Sequence, residues 1–292
     1  MWVRLIRMFT IQMPTEKPDK GQHSTSHITG ERPCVPKSQH VRISGTPNIG
    51  IVGVPPLAVI EDLNRQQAII HDLDAKLVPD SIDGVSPYLP KVFCAILRTV
   101  MLNALRLDLD AIYIDVGPGK CDSALHVSTI LAESLHIPVI RTRNMDSEDF
   151  GFPICQSGLS LTDKFLRITE GVKSGQCPTP TADTAPCRPT AGFWGVPPRD
   201  FSILAPFPDL THIYGWTRCM ENKTPANEDL ERDYNPAIPT IFFAQSFCAK
   251  TALGKFLADQ HPRALFLDVD YHTSGSAKAK IQAFLELSGA YT

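Results

Sequence analysis

The feature that most constrains this fold is a unit that occurs twice along the chain: a strand, a short loop with a cysteine, an amphipathic helix and another strand. In the first copy, the apolar strand Asp110–Gly117 leads through Pro-Gly-Lys to Cys121. The helix-forming segment Asp122–Leu135 and the strand His136–Arg141 follow. Units of this size connect neighbouring parallel strands by a right-handed crossover. The first copy therefore predicts a parallel sheet covered by helices.

The second copy lies in the C-terminal part of the chain. Here the strand Pro239–Phe243 precedes Cys248, and the helix-forming segment Ala249–Gln260 leads to the strand Ala264–Val269. In both helical segments apolar residues recur every three to four positions, which is the period of one helix face. The two copies agree in order and in length, and this agreement indicates an internal duplication.

A shared GVPP sequence supports the duplication. It ends the apolar run Asn48–Pro56 and also the run Gly192–Pro198. Each pattern is typical of a buried strand that stops at a proline-containing loop. We therefore predict an α/β fold made of two Rossmann-like halves, with parallel sheets that face a central cleft.

Length and local composition divide the chain further. A chain of 292 residues is long enough for two domains. Residues 1–47 are polar, contain several prolines and glycines and have no periodic apolar face, so we expect a disordered leader there. The predicted domains cover residues 48–166 and 191–292, and an amphipathic helix over Ser276–Ser288 closes the second. A Pro/Thr-rich linker over residues 167–190 joins them.

Composition argues against several classes of partner. The hydrophobic fraction is 43%, the charged fraction is 20% and the formal net charge is −3, so there is no general attraction to nucleic acid or to an anionic membrane. No stretch approaches the roughly 20 apolar residues of a membrane-spanning helix. The opening residues lack the apolar core and cleavage site of a signal peptide. We expect a cytoplasmic protein with neither a nucleic-acid nor a membrane partner.

The cysteines are the candidate functional residues. The chain has eight of them without a Cys-x-x-Cys pair, and cysteines of cytoplasmic proteins are more often thiols or metal ligands than disulfides. Cys121 and Cys248 both follow a strand and precede a helix, where ligands collect and where a helix N-terminus favours the thiolate. Cys94 opens another helical stretch before the Asp110 strand. Cys219, at the end of the strand-like THIYGWTRC, is the fourth candidate ligand.

Other motifs carry less weight. The remaining cysteines are expected to be small buried apolar residues or leader residues; they are Cys34, Cys155, Cys177 and Cys187. The segment DVGPGKCDS contains Lys120 but lacks the spacing of a phosphate-binding loop. The chain contains no G-x-G-x-x-G after a strand, no H-E-x-x-H and no G-x-S-x-G, so dinucleotide, zincin and serine-hydrolase chemistry have no support.

Several segments, in their order along the chain, resemble the 2-hydroxyacyl-CoA dehydratase and benzoyl-CoA reductase family. They are FCAILRTVMLNAL followed by LDAIYIDVGPGKCDS, then FFAQSFCAK, then ALFLDVDYHTSGSAKAKIQAFLE. The resemblance implies a [4Fe–4S] cluster between the two halves, with Cys94, Cys121 and Cys248 as its ligands. It also implies a lyase (dehydratase) or a low-potential reductase of anaerobic metabolism, acting on an acyl-CoA thioester. An ATP-dependent activator protein as electron source and a second subunit would be its partners.

Two alternatives remain open. In the first, the chain is a non-catalytic cluster or metal carrier, or an electron-transfer partner. In the second, it is a metal-free α/β protein that binds a small molecule in its cleft and merely buries its cysteines. Iron content separates the second alternative from the others, and a substrate pocket beside the cysteines separates an enzyme from a carrier.

Overall fold

A computed structural model of the chain describes residues 45–147, 150–176 and 180–291. They form an α/β fold with two halves, each built on a four-stranded, all-parallel sheet. This confirms the prediction of two Rossmann-like halves with parallel sheets. The predicted leader over residues 1–47 lies almost entirely outside the described residues, as do Cys34 and Cys177.

The first half has the strand order β2-β1-β3-β4. Helices alternate with the strands, so that every connection between neighbours is a crossover. In chain order the elements are β1 (Asn48–Val52), α1 (Leu57–Arg65), β2 (Ile69–Asp72), α2 (Ala95–Arg106), β3 (Ala111–Asp115), α3 (Asp122–Ser134), β4 (Val139–Thr142) and α4 (Leu161–Val172).

The second half repeats this topology with the order β6-β5-β7-β8. Its central strands are buried along their whole length, as expected for parallel strands with both faces covered. In chain order the elements are β5 (Ala191–Gly195), β6 (Thr211–Tyr214), α5 (Trp216–Asn222), α6 (Glu228–Arg232), β7 (Thr240–Gln245), α7 (Thr251–Gln260), β8 (Ala264–Val269) and α8 (Gly275–Leu287).

The repeated GVPP marks the same point in both halves, the carboxyl end of the central strand. Its glycines, Gly53 and Gly195, have φ values of +75° and +150°, which side-chain-bearing residues rarely adopt. A Cβ atom on Gly195 would collide with the carbonyl oxygen of Phe243, and one on Gly53 would lie 2.6 Å from Lys120 Nζ. Glycine is therefore required at the two points where the chain turns out of a sheet.

The two halves share a hydrophobic core and belong to one compact unit. Helix α4 contributes to this core although it precedes the second half in sequence, because Phe165 packs edge-on against Phe193 with ring centroids 5.1 Å apart. Residues 167–172, predicted as the start of the linker, belong to α4. The helix continues there because Ile168 and Val172 lie on its buried face.

The segment THIYGWTRC differs from its prediction as a strand. Strand β6 ends at Tyr214, and Gly215, with a φ of +75°, turns the chain into α5. Cys219 therefore lies inside a helix and not at a strand end. Within the described ranges, no helix combines the length and apolar character needed to cross a membrane.

Candidate functional site

A cavity of about 780 Å³ lies between the two halves. Strand ends of the first sheet, among them Val52 and Asp115, contribute to its wall, and the second half contributes loop and helix residues, including Val196 after β5. The carboxyl ends of parallel strands are the usual ligand-binding edge of such sheets, and this volume is typical of a small-molecule site. The predicted central cleft is therefore present.

Three of the four cysteines proposed as ligands line this cavity. Cys94 and Cys121 are the N-cap residues of α2 and α3, and Cys248 lies in the loop between β7 and α7. The thiols of Cys94 and Cys248, one from each half, are hydrogen-bonded to each other. The backbone supports this pairing, since Ala95 N–H donates to the Ser246 carbonyl oxygen at 3.2 Å.

The hydrogen bond between these thiols shifts their pKa values in opposite directions. Cys94 donates to Cys248, and this bond lowers the pKa of Cys248 to about 7, with further help from the backbone N–H and the charge of Lys250. The same bond, together with burial, raises the pKa of Cys94 well above its ordinary value. A thiolate at Cys248 is therefore accessible near neutral pH, and Cys94 holds the shared proton.

The fourth candidate, Cys219, does not belong to this site. It is completely buried within α5 and does not line the cavity, and burial raises its pKa. Its inclusion rested on the strand predicted for THIYGWTRC, so the helix that replaces this strand removes the argument. Cys155 and Cys187 also lie off the cavity; Cys155 is fully buried, and the Cys187 thiol donates to the Ser157 carbonyl oxygen at 3.1 Å.

The described residues contain no group of three or more His, Cys, Asp or Glu side chains placed to hold a metal ion. Cys121 thus shares the cavity with the Cys94–Cys248 pair without forming a tight triad with it. The thiols as placed do not make a three-cysteine site for one ion such as zinc, whose ligands converge on a single point.

Two lysines from opposite halves meet at Trp216. Lys120 Nζ lies 4.2 Å from the centre of the indole ring and 3.6 Å from Asp115 Oδ2, and burial lowers its pKa. Lys250 Nζ lies 5.0 Å from the same ring and forms an ion pair with Glu231. These lysines and carboxylates line the cavity together with Cys121 and Cys248. The cleft therefore combines thiols, paired charges and an aromatic wall.

A second charged group lines the cavity where β2 ends. Asp72 is buried, and burial first and Asp74 second raise its pKa to about 7. Asp74 accepts a hydrogen bond from Gly53 N–H at 2.6 Å. Arg199, after the second GVPP, is also buried and lies close enough to both carboxylates to influence their charges. These groups give the cleft a polar end.

None of these charged residues was among the predicted site residues. A usable signal was present in the sequence. Asp115 lies near the end of the predicted strand Asp110–Gly117, Asp72 closely follows the apolar run Ala68–Ile70, and Arg199 directly follows GVPP. Their charges alone did not distinguish them from solvated loop residues, which charged strand-end residues usually are. Only their burial in a shared cavity identifies them as site residues.

Comparison with known proteins finds no relative of this chain that could assign a role to the cleft. No family model, curated protein or solved structure matches this chain. The family resemblance carried by the cysteine-containing segments is therefore a hypothesis, and the residues of the cleft are the evidence for function.

Proposed function

We propose that this chain is an iron–sulfur enzyme similar to the 2-hydroxyacyl-CoA dehydratases and benzoyl-CoA reductases. A [4Fe–4S] cluster would be held by Cys94, Cys121 and Cys248 in the cleft between the halves. One observation carries the proposal: these three cysteines, predicted from distant segments, line the same cavity, whereas Cys155, Cys187 and Cys219 do not. A convergence of this kind is expected of cluster ligands.

The donor set suits such a cluster. Thiolates are the usual ligands of [4Fe–4S] clusters, and each binds a different iron, so the ligands stand farther apart than those of a single ion. Three ligands leave one iron open to a substrate. Binding would require Cys94 and Cys248 to give up their hydrogen bond and its proton, because metal ligation needs thiolates. The backbone N–H and the charge of Lys250, which also lower the pKa of Cys248, would still favour its thiolate once this bond is lost, whereas Cys94 would have to give up the shared proton.

The cluster, when bound, would supply Lewis acidity and electron transfer. The chain's own residues would bind and orient the substrate and exclude water. Leu97, Val196 and Leu253 give the cavity apolar walls, and Lys120 places a cation over Trp216 at its edge. A low-dielectric wall with a fixed cation favours an anionic or polarised substrate group. An acyl-CoA thioester, an ATP-dependent activator protein and a second subunit belong to this proposal as the resemblance implies them.

The test is anaerobic purification from an iron-replete host, with iron and acid-labile sulfide counted per chain. We expect roughly four of each for the unaltered protein, with visible absorption that bleaches on reduction. Substitution of Cys94, Cys121 or Cys248 by alanine should remove most of the iron. Cys187→Ala is the matched control, because this thiol is half-buried outside the cavity, and it should retain full iron content.

A different result would direct the function elsewhere. Normal iron content in Cys121→Ala and Cys248→Ala would show that the ligand assignment is wrong. Iron without any acyl-CoA binding would favour the carrier or electron-transfer role. A protein that stays iron-free after anaerobic reconstitution would refute the cluster.

The second candidate is a metal-free protein that binds a small molecule in the cleft. The hydrogen bond between Cys94 and Cys248 favours it, because the two thiols already satisfy each other without a metal. In that case the cleft would retain its thiol pair and its charged residues as the binding groups. Iron-free protein after reconstitution is the outcome that would select this function.

A further inference from the structure

Arg199 differs from the other cations of the cleft because two of its guanidinium nitrogens have no partner among the residues that the structure describes. The residue is 7% exposed and lines the cavity. Its Nε and Nη2 atoms are buried without a hydrogen bond to any described residue. A buried guanidinium donor without an acceptor costs free energy. The side chain is therefore equipped for an acceptor that comes from outside the described part of the chain.

The other buried arginines that the structure describes show the contrast. Arg98 donates from Nη1 to the Lys91 carbonyl oxygen at 2.9 Å and from Nη2 to that of Ile82 at 3.1 Å. Arg218 donates from Nε to a backbone carbonyl oxygen and forms an ion pair with Asp233. Neither arginine lines the cavity. Of these three buried arginines, Arg199 is the one that lines the cavity and the one with two nitrogens that lack a partner among the described residues.

The loop that carries Arg199 is held in place. Its backbone N–H donates to the side-chain oxygen of Gln245 at 3.1 Å, and the Gln245 amide nitrogen donates to the carbonyl oxygens of Val269 and Asp270. Pro197 and Pro198 restrict the preceding backbone. A donor group fixed before its ligand arrives loses little entropy on binding.

We propose that Arg199 is a carboxylate-binding residue for a small organic acid, or for an acyl group that carries a carboxylate. The Nε–H and Nη2–H bonds lie parallel on one edge of the guanidinium, where they match the two oxygens of a carboxylate. This inference rests on the proposed function only in placing the ligand in the same cleft, and it does not require iron.

The surrounding charges favour a carboxylate over a phosphate. Asp72, Asp74, Tyr271 and Cys94 are the titratable groups whose charge acts on Arg199. The two aspartates repel any anion, but they repel a dianionic phosphate more strongly than a monoanionic carboxylate, whose single charge one guanidinium balances. The ligand group is therefore a monoanion.

The first test is thermal unfolding of the isolated full-length protein in sodium acetate or sodium butyrate, against sodium chloride at the same ionic strength. We expect a saturable rise in melting temperature, with a dissociation constant of about 1–10 mM for so small a probe. Arg199→Lys keeps the charge but loses the two-donor edge, and it should weaken binding about tenfold or more. The exposed Arg65→Lys is the matched control and should leave the effect unchanged.

A second measurement does not depend on a variant that folds. In nitrogen-15 NMR of the unaltered protein, the Arg199 Nε–H signal should move saturably with acetate, while the Arg98 Nε–H signal, which is also unpartnered but outside the cavity, should stay. An unmoved Arg199 signal would overturn the proposal. So would a response to inorganic phosphate without one to acetate, or undiminished binding by Arg199→Lys.

Iron counted in the same samples separates this proposal from the proposed function. Iron-free protein whose Arg199 signal responds to acetate would refute the cluster and support the carboxylate site. Iron-loaded protein without the response would support the cluster and refute the carboxylate site.

Discussion

Asp72 shows how burial sets the properties of single residues in the cleft. Its carboxyl group ends β2 beside Asp74, and burial together with this like charge raises its pKa to about 7. The unfolded chain loses the same proton near pH 4. Between these values the folded state binds more protons, so the contribution of Asp72 to stability is complete below about pH 4 and is lost as the pH rises through 7.

Asp72→Asn should therefore stabilise the protein at high pH. Asparagine stays neutral, so the variant escapes the cost of burying a carboxylate. We expect its free energy of unfolding to exceed that of the unaltered protein by roughly 2–4 kcal/mol at pH 9 and to match it near pH 4. Urea unfolding at both pH values measures the difference. The exposed Asp62→Asn is the control and should change stability by less than about 0.5 kcal/mol.

The opposite sign at pH 9 would contradict this account. A variant that is less stable there would mean that the Asp72 carboxylate is held by Arg199 in solution and not merely repelled by Asp74.

Helix α7 illustrates how one element is shaped by its neighbour. Gly254 lies inside this helix against the ring of Trp194, and an added Cβ would stand 2.8 Å from Trp194 Cζ3. The ring is completely buried, and its N–H donates to the Glu231 carbonyl oxygen at 2.7 Å. Because the indole cannot swing away, glycine is retained despite its low helix propensity.

Two glycine-to-alanine variants test this packing. Gly254→Ala should lower the free energy of unfolding by about 1 kcal/mol or more, since overpacking outweighs the gain in helix propensity. Gly171→Ala, in α4, should raise it by about 0.5–1 kcal/mol, because no described atom beyond its chain neighbours and the helix's own backbone lies within 4 Å of the added Cβ and alanine favours the helix. Chemical denaturation measures both. Stabilisation by Gly254→Ala would show that the α7–Trp194 contact is looser than described.

At the scale of the whole molecule, Asn144 joins the two halves. Its side-chain amide nitrogen donates to the Val54 carbonyl oxygen of the first half at 3.1 Å and to that of Lys223 in the second half at 2.8 Å. The residue is completely buried. With the shared core, this link predicts that the halves unfold together and not one after the other.

Asn144→Ala should lower the free energy of unfolding by about 2–3 kcal/mol, because it leaves two buried carbonyl oxygens without this donor. Far-ultraviolet circular dichroism follows the unfolding of the whole chain. The fluorescence of the described tryptophans, Trp194 and Trp216, follows the unfolding of the second half. Both signals should shift to the same lower midpoint. Asn64→Ala removes two amide hydrogen bonds near the surface and should cost less than about 1 kcal/mol. Separate midpoints for the two signals would refute cooperative unfolding.

Local sequence patterns were sufficient to predict the parallel α/β architecture and the position of Cys121 and Cys248 after a strand of each half. Strand and helix periods are local, and in a parallel sheet all carboxyl strand ends point the same way. The residues that follow the strands of one sheet therefore lie at a common edge of that sheet, and the packing of the two halves brings the two edges to one cleft. The two copies of GVPP likewise predicted where the chain leaves the central strand of each sheet.

Which groups meet within the cleft could not be predicted from local sequence patterns. The hydrogen bond between Cys94 and Cys248 and the unpartnered edge of Arg199 depend on how one half packs against the other. Cys219 lies outside the cleft because the chain turns at Gly215, where an apparently continuous strand becomes a strand followed by a helix. Burial and distance between residues remote in sequence have no local pattern. They arise from side-chain packing across the whole chain, so the site's charges became recognisable only in the folded molecule.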